Sequence, residues 1–238
     1  MKIKGIGYIY RNIDRIMNHK YFFLSFLLVN VTLLAQAPKG YDTGWIVLNG
    51  GEKIEGYIQY FVAGDTKIKF KPMDANIKPG STQTYASNDL EEIVVCEQNQ
   101  TKVFKKEWYG YMNMAGKMKK DDTPAWMAKV ITAQGIEVYH YYQFLDLRTG
   151  NMNSGLWYYF TRIALKTPDM EFAFDVGYLN GLTNDPFKGQ DKEFRDRIKL
   201  FLKMYCPALL ENNKNKKYDR KKIDVFIEDY VSNCGSSE

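Results

Sequence analysis

Few side chains in this sequence are equipped for chemistry, and the first to weigh is His140. It is the one histidine after the first 36 residues, and so the one side chain of that part whose unperturbed pKa lies near neutrality. On an alternating strand it shares a face with Ile136 and Val138. No Ser or Cys motif adjoins it, which predicts a partly buried structural histidine ahead of an acid–base catalyst. Cys96, Cys206 and Cys234 leave a Cys-His dyad open, because such partners meet in space and not in sequence. Glu171 and Asp175 fall on one side of an expected strand, roughly 13 Å apart along it. That exceeds the ~6.5–9.5 Å of an inverting glycosidase pair, so a solvated face is expected there. Asp121 and Asp122 lack the DxDxDG spacing of a calcium loop. With no CxxC and a single histidine after residue 36, no metal site is expected, and nothing specifies a cofactor. The aromatic supply is richer. Trp45, Trp108, Trp126 and Trp157 are candidates for a platform that stacks a glycan or peptide, since a large apolar ring with a polar tip suits a wet binding surface. Core and cross-strand packing is the competing use of aromatic residues in strands.

Charge narrows the partners. The 238 residues carry a formal +5, which invites a nucleic-acid reading until the charge is located. Lys2, Lys4, Arg11, Arg15 and Lys20 stand against Asp14 in residues 1–36, a net +4 that leaves +1 for the remainder. A near-neutral body lacks the concentrated basic footprint that phosphate neutralisation needs, so no nucleic-acid partner is expected. The basic start followed by the apolar run Tyr21 to Ala35 and then Gln36-Ala37-Pro38 reads as a signal peptide over 1–36. Translation starts at Met1 or, as the alternative, at Met17, and cleavage is placed after Gln36, with Ala35 and Ala37 as alternatives. The run is short of the roughly 20 residues of a transmembrane helix, so no stable span is expected after cleavage; an uncleaved anchor is the alternative. Export places Cys96, Cys206 and Cys234 where disulfides form, and an odd count leaves at least one thiol. Cys206 and Cys234 both flank C-terminal helices and are the preferred pair.

The elements that must position these residues follow from pattern. Gly44 to Tyr60 reads as a β-hairpin around Asn49-Gly50-Gly51, residues that tolerate the positive φ of a tight turn. Lys67 to Lys71, a short run Thr82 to Tyr85, Glu92 to Cys96 and Thr101 to Lys105 continue an antiparallel meander. From Glu107 to Trp126 the pattern weakens. Lys117, Lys119 and Lys120 are answered at once by Asp121 and Asp122, as in a solvated loop. Ala128 to Thr132 and Ile136 to Tyr142 form a second hairpin, extended by Phe144 to Leu147. Leu156 to Leu165 and Glu171 to Val176 form a third across the turn Lys166 to Asp169. Beyond Pro186 the period becomes helical. Phe194, Ile198, Phe201, Leu202 and Tyr205 make one stripe on a helix with Asp191 as N-cap, and Ile223, Phe226, Ile227, Tyr230 and Val231 make another on a helix capped by Asp219.

The pattern GWIVLNGGEKIEGYIQY, the later IKFKP, the aromatic hairpin and the ending FLKMYCPALLENNKNKKYDRKKIDVFIEDYV together resemble a group of uncharacterised exported proteins of the Bacteroidota. That group shares a leader ending in Ala-Gln, as at Ala35-Gln36, and a Cys-Pro-x-Leu junction, as at Cys206 to Leu209. The resemblance implies export and fold and brings no catalytic residue with it. The expected class is α+β: an antiparallel β-rich domain over 37–185, curling into a barrel or a sandwich, then a helical segment over 186–238 packed on the sheet. The expected function is that of an exported, periplasmic, outer-membrane-associated or secreted envelope protein. It would act as a non-enzymatic binding or structural module toward a glycan, a peptide or an envelope protein. A hydrolase of an envelope polymer or glycan is the alternative.

Overall fold

The computed structural model describes residues 37–73, 81–97, 100–113, 116–146, 157–179, 190–213 and 215–235. The expected leader, most of the loop after Pro72 and the Arg148 to Gly155 loop lie outside them. From Tyr41 onward the chain builds twelve strands and three helices among the described residues. The strands are β1 (Tyr41–Leu48), β2 (Lys53–Gln59), β3 (Lys67–Pro72), β4 (Gln83–Ala86), β5 (Leu90–Glu97), β6 (Gln100–Glu107), β7 (Tyr109–Met112), β8 (Met118–Lys120), β9 (Ala125–Ala133), β10 (Ile136–Asp146), β11 (Trp157–Lys166) and β12 (Ala173–Tyr178). The helices are α1 (Gln190–Tyr205), α2 (Pro207–Asn212) and α3 (Ile223–Cys234). The α+β class with C-terminal helices is therefore the fold, but the sheet is one open sheet and neither a closed barrel nor a two-sheet sandwich. Its order is β4-β3-β2-β1-β5-β6-β9-β10-β11-β12-β7-β8.

The opening hairpin forms where the sequence places it. Gly50 and Gly51 take φ of 111° and 87°, a region open to glycine at little steric cost. The amide of Asn49 also donates to Asp89 O at 2.9 Å, and its side chain to Asn88 O at 2.6 Å. The turn is thus tied to the 3-10 turn at Ser87–Asp89 that leads into β5. Further along, Gly44 and Gly56 face each other across the hairpin. A Cβ at Gly56 would run into Lys71 O and the Phe70 ring, and one at Gly44 into Val94 O and Ile58. Backbones therefore crowd together here, beside Ile46, Ile58, Phe70, Ile93 and Phe104 of one hydrophobic cluster.

The segment expected to be a solvated loop is in fact β7 and β8. Its strands are short, and β7 pairs with β12 in the one parallel ladder among the described residues, which is a long-range contact that no local pattern announces. β6 and β7 are separated in the chain by Trp108 alone, yet four strands lie between them in the sheet. The sheet must curl for one stretch of chain to reach both β9 and β12. Inside that curl, apart from Met127, the side chains are alanines or tyrosines: Ala125, Tyr139, Tyr141, Ala164 and Ala173. The sheet edges are short, and β8 ends it with Lys119 and Lys120, which deter addition of a further strand.

The two apolar helical stripes are buried as expected. Phe194, Ile198, Phe201 and Leu202 of α1 and Phe226, Ile227 and Tyr230 of α3 share one cluster with Ile136, Val138, Ile163, Leu165, Phe174 and Val176. Each such side chain contributes roughly 1.5–3 kcal/mol by leaving water. Between them the junction Cys206-Pro207 opens a separate short helix, α2, with proline in its first turn, where no backbone donor is lost. Asp191 lies inside the first turn of α1 and not at its N-cap position. Asp219 accepts from the Lys221 amide at 2.9 Å and caps the 3-10 turn that precedes α3.

Polar groups lock the helices to the sheet. Asp175, expected on a solvated face, is 2% exposed. Its carboxylate accepts Arg162 Nε at 3.0 Å and Arg162 Nη2, and it also takes Nη1 of Arg197 from α1. Glu193 balances Arg197, and Gln143 Oε1 accepts Arg162 Nη1 at 2.9 Å. Burial works against the charge of Arg162, but the Asp175 carboxylate outweighs it and raises the pKa. Glu171, by contrast, is exposed and precedes β12.

Two substitutions test this arrangement. Gly56→Ala should lower unfolding free energy by about 1–3 kcal/mol through overpacking, measured by urea denaturation. Gly64→Ala, where a Cβ has open space, should leave it unchanged. Asp175→Ala should cost about 3–5 kcal/mol, because it leaves two arginines without their buried carboxylate.

Candidate functional site

Strand ends gather a second polar cluster at the rim of the first hydrophobic cluster. Asp42 stands near the start of β1 on the face of Ile46. The register Thr43–Cys96 carries it to the level of Glu97 at the end of β5. Lys102, near the start of β6, pairs with Val95 and reaches Glu97 Oε2 at 2.6 Å. Tyr142 comes from β10 and donates to Glu97 Oε1 at 2.7 Å, while its hydroxyl accepts Lys102 Nζ at 3.0 Å. Its ring packs against Phe104 at 5.3 Å and Phe61 at 6.1 Å. The apolar cluster thus holds the phenol, and the phenol holds the carboxylate.

The electrostatics differ across these few residues. Burial and then the negative charge of Glu97 push Asp42 up to about 6, with Lys102 opposing. The charge of Asp42 in turn raises Tyr60, whose ring is 50% exposed just beyond β2. Burial and the bond to Glu97 raise Tyr142 far above an ordinary phenol. A carboxyl that titrates near 6 beside a charged carboxylate is in the state a general acid requires, and it sits next to an exposed aromatic ring.

The residues singled out from sequence are dispersed. His140 lies on β10 opposite Ala128 and Ile163. Its Nε2 is buried without a hydrogen-bond partner, and burial, then Lys102, lowers its pKa to about 4. It is a neutral imidazole in the physiological range, with no group on Nε2 to orient it. Cys206 and Cys234 are joined in a disulfide with Cα atoms 5.8 Å apart, so neither offers a thiolate. Cys96 is exposed, with Sγ 3.9 Å from Thr101 Oγ1. Among the tryptophans, Trp126 is 1% exposed and donates Nε1 to Ser87 Oγ at 3.0 Å, so its ring is core and cannot stack a ligand from solvent. Trp108 is 40% exposed with Lys120 Nζ 4.2 Å over it, and Trp45 is half-buried under Lys53 at 4.0 Å. The side chain of Trp157 lies outside the described residues. Asp121 accepts Tyr109 Oη at 3.0 Å and shapes the turn into β9 through Thr123. No group of three or more His, Cys, Asp or Glu that could hold a metal ion occurs among the described residues.

Sequence reading missed Asp42, Glu97, Lys102 and Tyr142 as a set. Local signals existed: Asp42 is an acid on the core-facing side of a strand, and Lys102 shares the face of Phe104. Their convergence needs β1, β5 and β6 side by side with β10 one strand further on, across β9, which only the sheet order supplies.

Asp42 and His140 titrate against each other. Asp42 has a folded pKa about 6 against an ordinary 3.8, so its stabilisation is full below 3.8 and is lost as pH rises through 6. His140 has a folded pKa about 4 against 6.5, so its stabilisation is full above 6.5 and is lost as pH falls through 4. The two slopes oppose over one window. Urea denaturation between pH 4 and 6.5 should give stability rising with pH in Asp42→Asn and falling with pH in His140→Gln, with the wild type flatter than either.

Comparison with protein-family models, curated proteins and solved structures finds no match to this chain.

Proposed function

We propose that this chain is an exported cell-envelope protein, of the Bacteroidota group its motifs resemble, that works as a non-enzymatic binding module for a glycan, a peptide or another envelope protein. The observation that carries this reading is the Cys206–Cys234 disulfide between the start of α2 and the end of α3. A bridge of that kind persists in an oxidising compartment and agrees with a removable leader. It closes a span of 28 residues and contributes about 3–4 kcal/mol in the chain-entropy account. Exposed rings at Trp108 and Tyr60 supply the contact surface that binding would use.

A second reading has its own observation. Asp42, raised to about 6 beside Glu97, has the protonation behaviour of the acid in a hydrolase of an envelope polymer or glycan.

Expression in the source cell with its leader should yield a mature chain starting at Ala37 in the periplasmic or extracellular fraction. In the absence of reductant a maleimide should then label Cys96 alone. An intact Met1 or Met17 end, or labelling at Cys206, would sink the export reading. Incubation with envelope glycans and peptides separates the two activities: capture weakened by Trp108→Ala supports binding, and turnover lost in Asp42→Asn supports hydrolysis.

A further inference from the structure

Helix α1 and the chain that follows α2 enclose a cleft of about 380 Å³, lined on one side by Lys192, Arg195 and Lys199 and on the other by Lys216 and Lys217. The α1 residues fall at i, i+3 and i+7, so helical periodicity stacks their charges along one rim. Asp196 is the one acid in the lining. Of the neighbouring acids, Glu193 pairs with Arg197 and Asp191 with Arg220 at 2.9 Å, whereas Asp229 reaches the rim and neutralises Lys216 at 2.5 Å. Among the described residues no ion pair engages Lys192, Arg195, Lys199 or Lys217. Several lysines of the sheet, by contrast, are paired: Lys53, Lys105 and Lys129 each hold a glutamate. Positive charge on this cleft therefore exceeds the counter-charge that Asp196 and Asp229 bring to it.

The floor decides what can enter. Ile198, Leu202 and Leu209 of the lining are buried in the core that α1 shares with the sheet, so an occupant meets chiefly the polar groups of the rim. The rim must make the contacts, and the occupant must be compact, polar and multiply charged. A phosphate group brings up to two charges and three strong acceptor oxygens to one centre. That matches cations spaced along a helix better than a lone carboxylate does. Arginine takes two such oxygens at once, and lysines add point charges around them.

We infer that this cleft binds a phosphate-bearing anion, with Lys192, Arg195 and Lys199 on one side and Lys217 on the other. The site is separate from the Asp42 cluster and does not depend on where the protein resides. Calorimetric titration of the full chain with inorganic pyrophosphate at low salt, where such contacts are least screened, tests it. Binding is expected, and Lys199→Glu and Lys217→Glu should each weaken it at least about tenfold, the equivalent of one lost charge-assisted contact. Lys69→Glu makes the same charge change on exposed β3 and should leave affinity within about twofold, because it lies outside the cleft. Urea denaturation of each variant confirms that it folds. Flotation with phosphatidylglycerol vesicles, competed by pyrophosphate, separates the source. Competed flotation makes the ligand a lipid headgroup, and pyrophosphate binding without flotation makes it a soluble phosphate. No binding of pyrophosphate, equal weakening by Lys69→Glu, or preference for a single-stranded oligonucleotide that survives Lys199→Glu would overturn the inference.

Discussion

The buried carboxylate of Asp175 is the point on which the C-terminal half turns. It receives two arginines, one from the neighbouring strand β11 and one from helix α1. A carboxylate so deep in the protein is tolerable because both its oxygens are used, and the arginines are tolerable because the carboxylate is there. Breaking one partner leaves uncompensated charge behind, whereas an apolar replacement of the whole group need not destabilise at all. The value of the cluster therefore lies in what it specifies. It sets which part of α1 meets β12, and a slide of the helix by one turn would leave the charges unmet.

The central strands are buried on both faces. Helices α1 and α3 cover one face of β10 to β12, and the curl from β6 through β12 to β7 covers the other. The space inside the curl is narrow, so Ala125, Ala164 and Ala173 face it, with Tyr139 and Tyr141 filling what remains. The N-terminal half solves the same problem without helices. Its pinch at Gly44 and Gly56 lets backbone and the Phe70 ring approach where any side chain would stand in the way.

The polar clusters occupy the places these constraints leave over. Asp42, Glu97, Lys102 and Tyr142 lie where β1 and β6 begin, β5 ends and the apolar cluster runs out, so partial burial raises one carboxyl while its neighbour stays bonded. The basic rim of α1 lies on the helix face turned away from the sheet, where the apolar stripe has already met the needs of packing. One is a site of shifted acidity, and the other is a site of unbalanced charge.

Much of the fold was legible in the residues alone, because strand alternation, helical stripes and glycine turns are written in local spacing. The hairpin at Asn49-Gly50-Gly51, the aromatic strand, both amphipathic helices and the Cys206–Cys234 flanks are all short-range facts. What failed did so where distance along the chain and distance in space part company. β7 and β8 carry weak patterns and owe their form to β12, more than sixty residues downstream of Tyr109. Asp175 alternates like a solvent-facing residue and yet meets Arg162 and Arg197 in the core. Trp126 looks like its exposed counterpart Trp108 until the sheet closes over it. Sequence by itself determined the elements and their apolar faces, since those depend on dihedral preference and period. Tertiary structure alone decided which polar groups are dry and which charges meet, because burial and Coulomb energy depend on neighbours that only the folded sheet brings together.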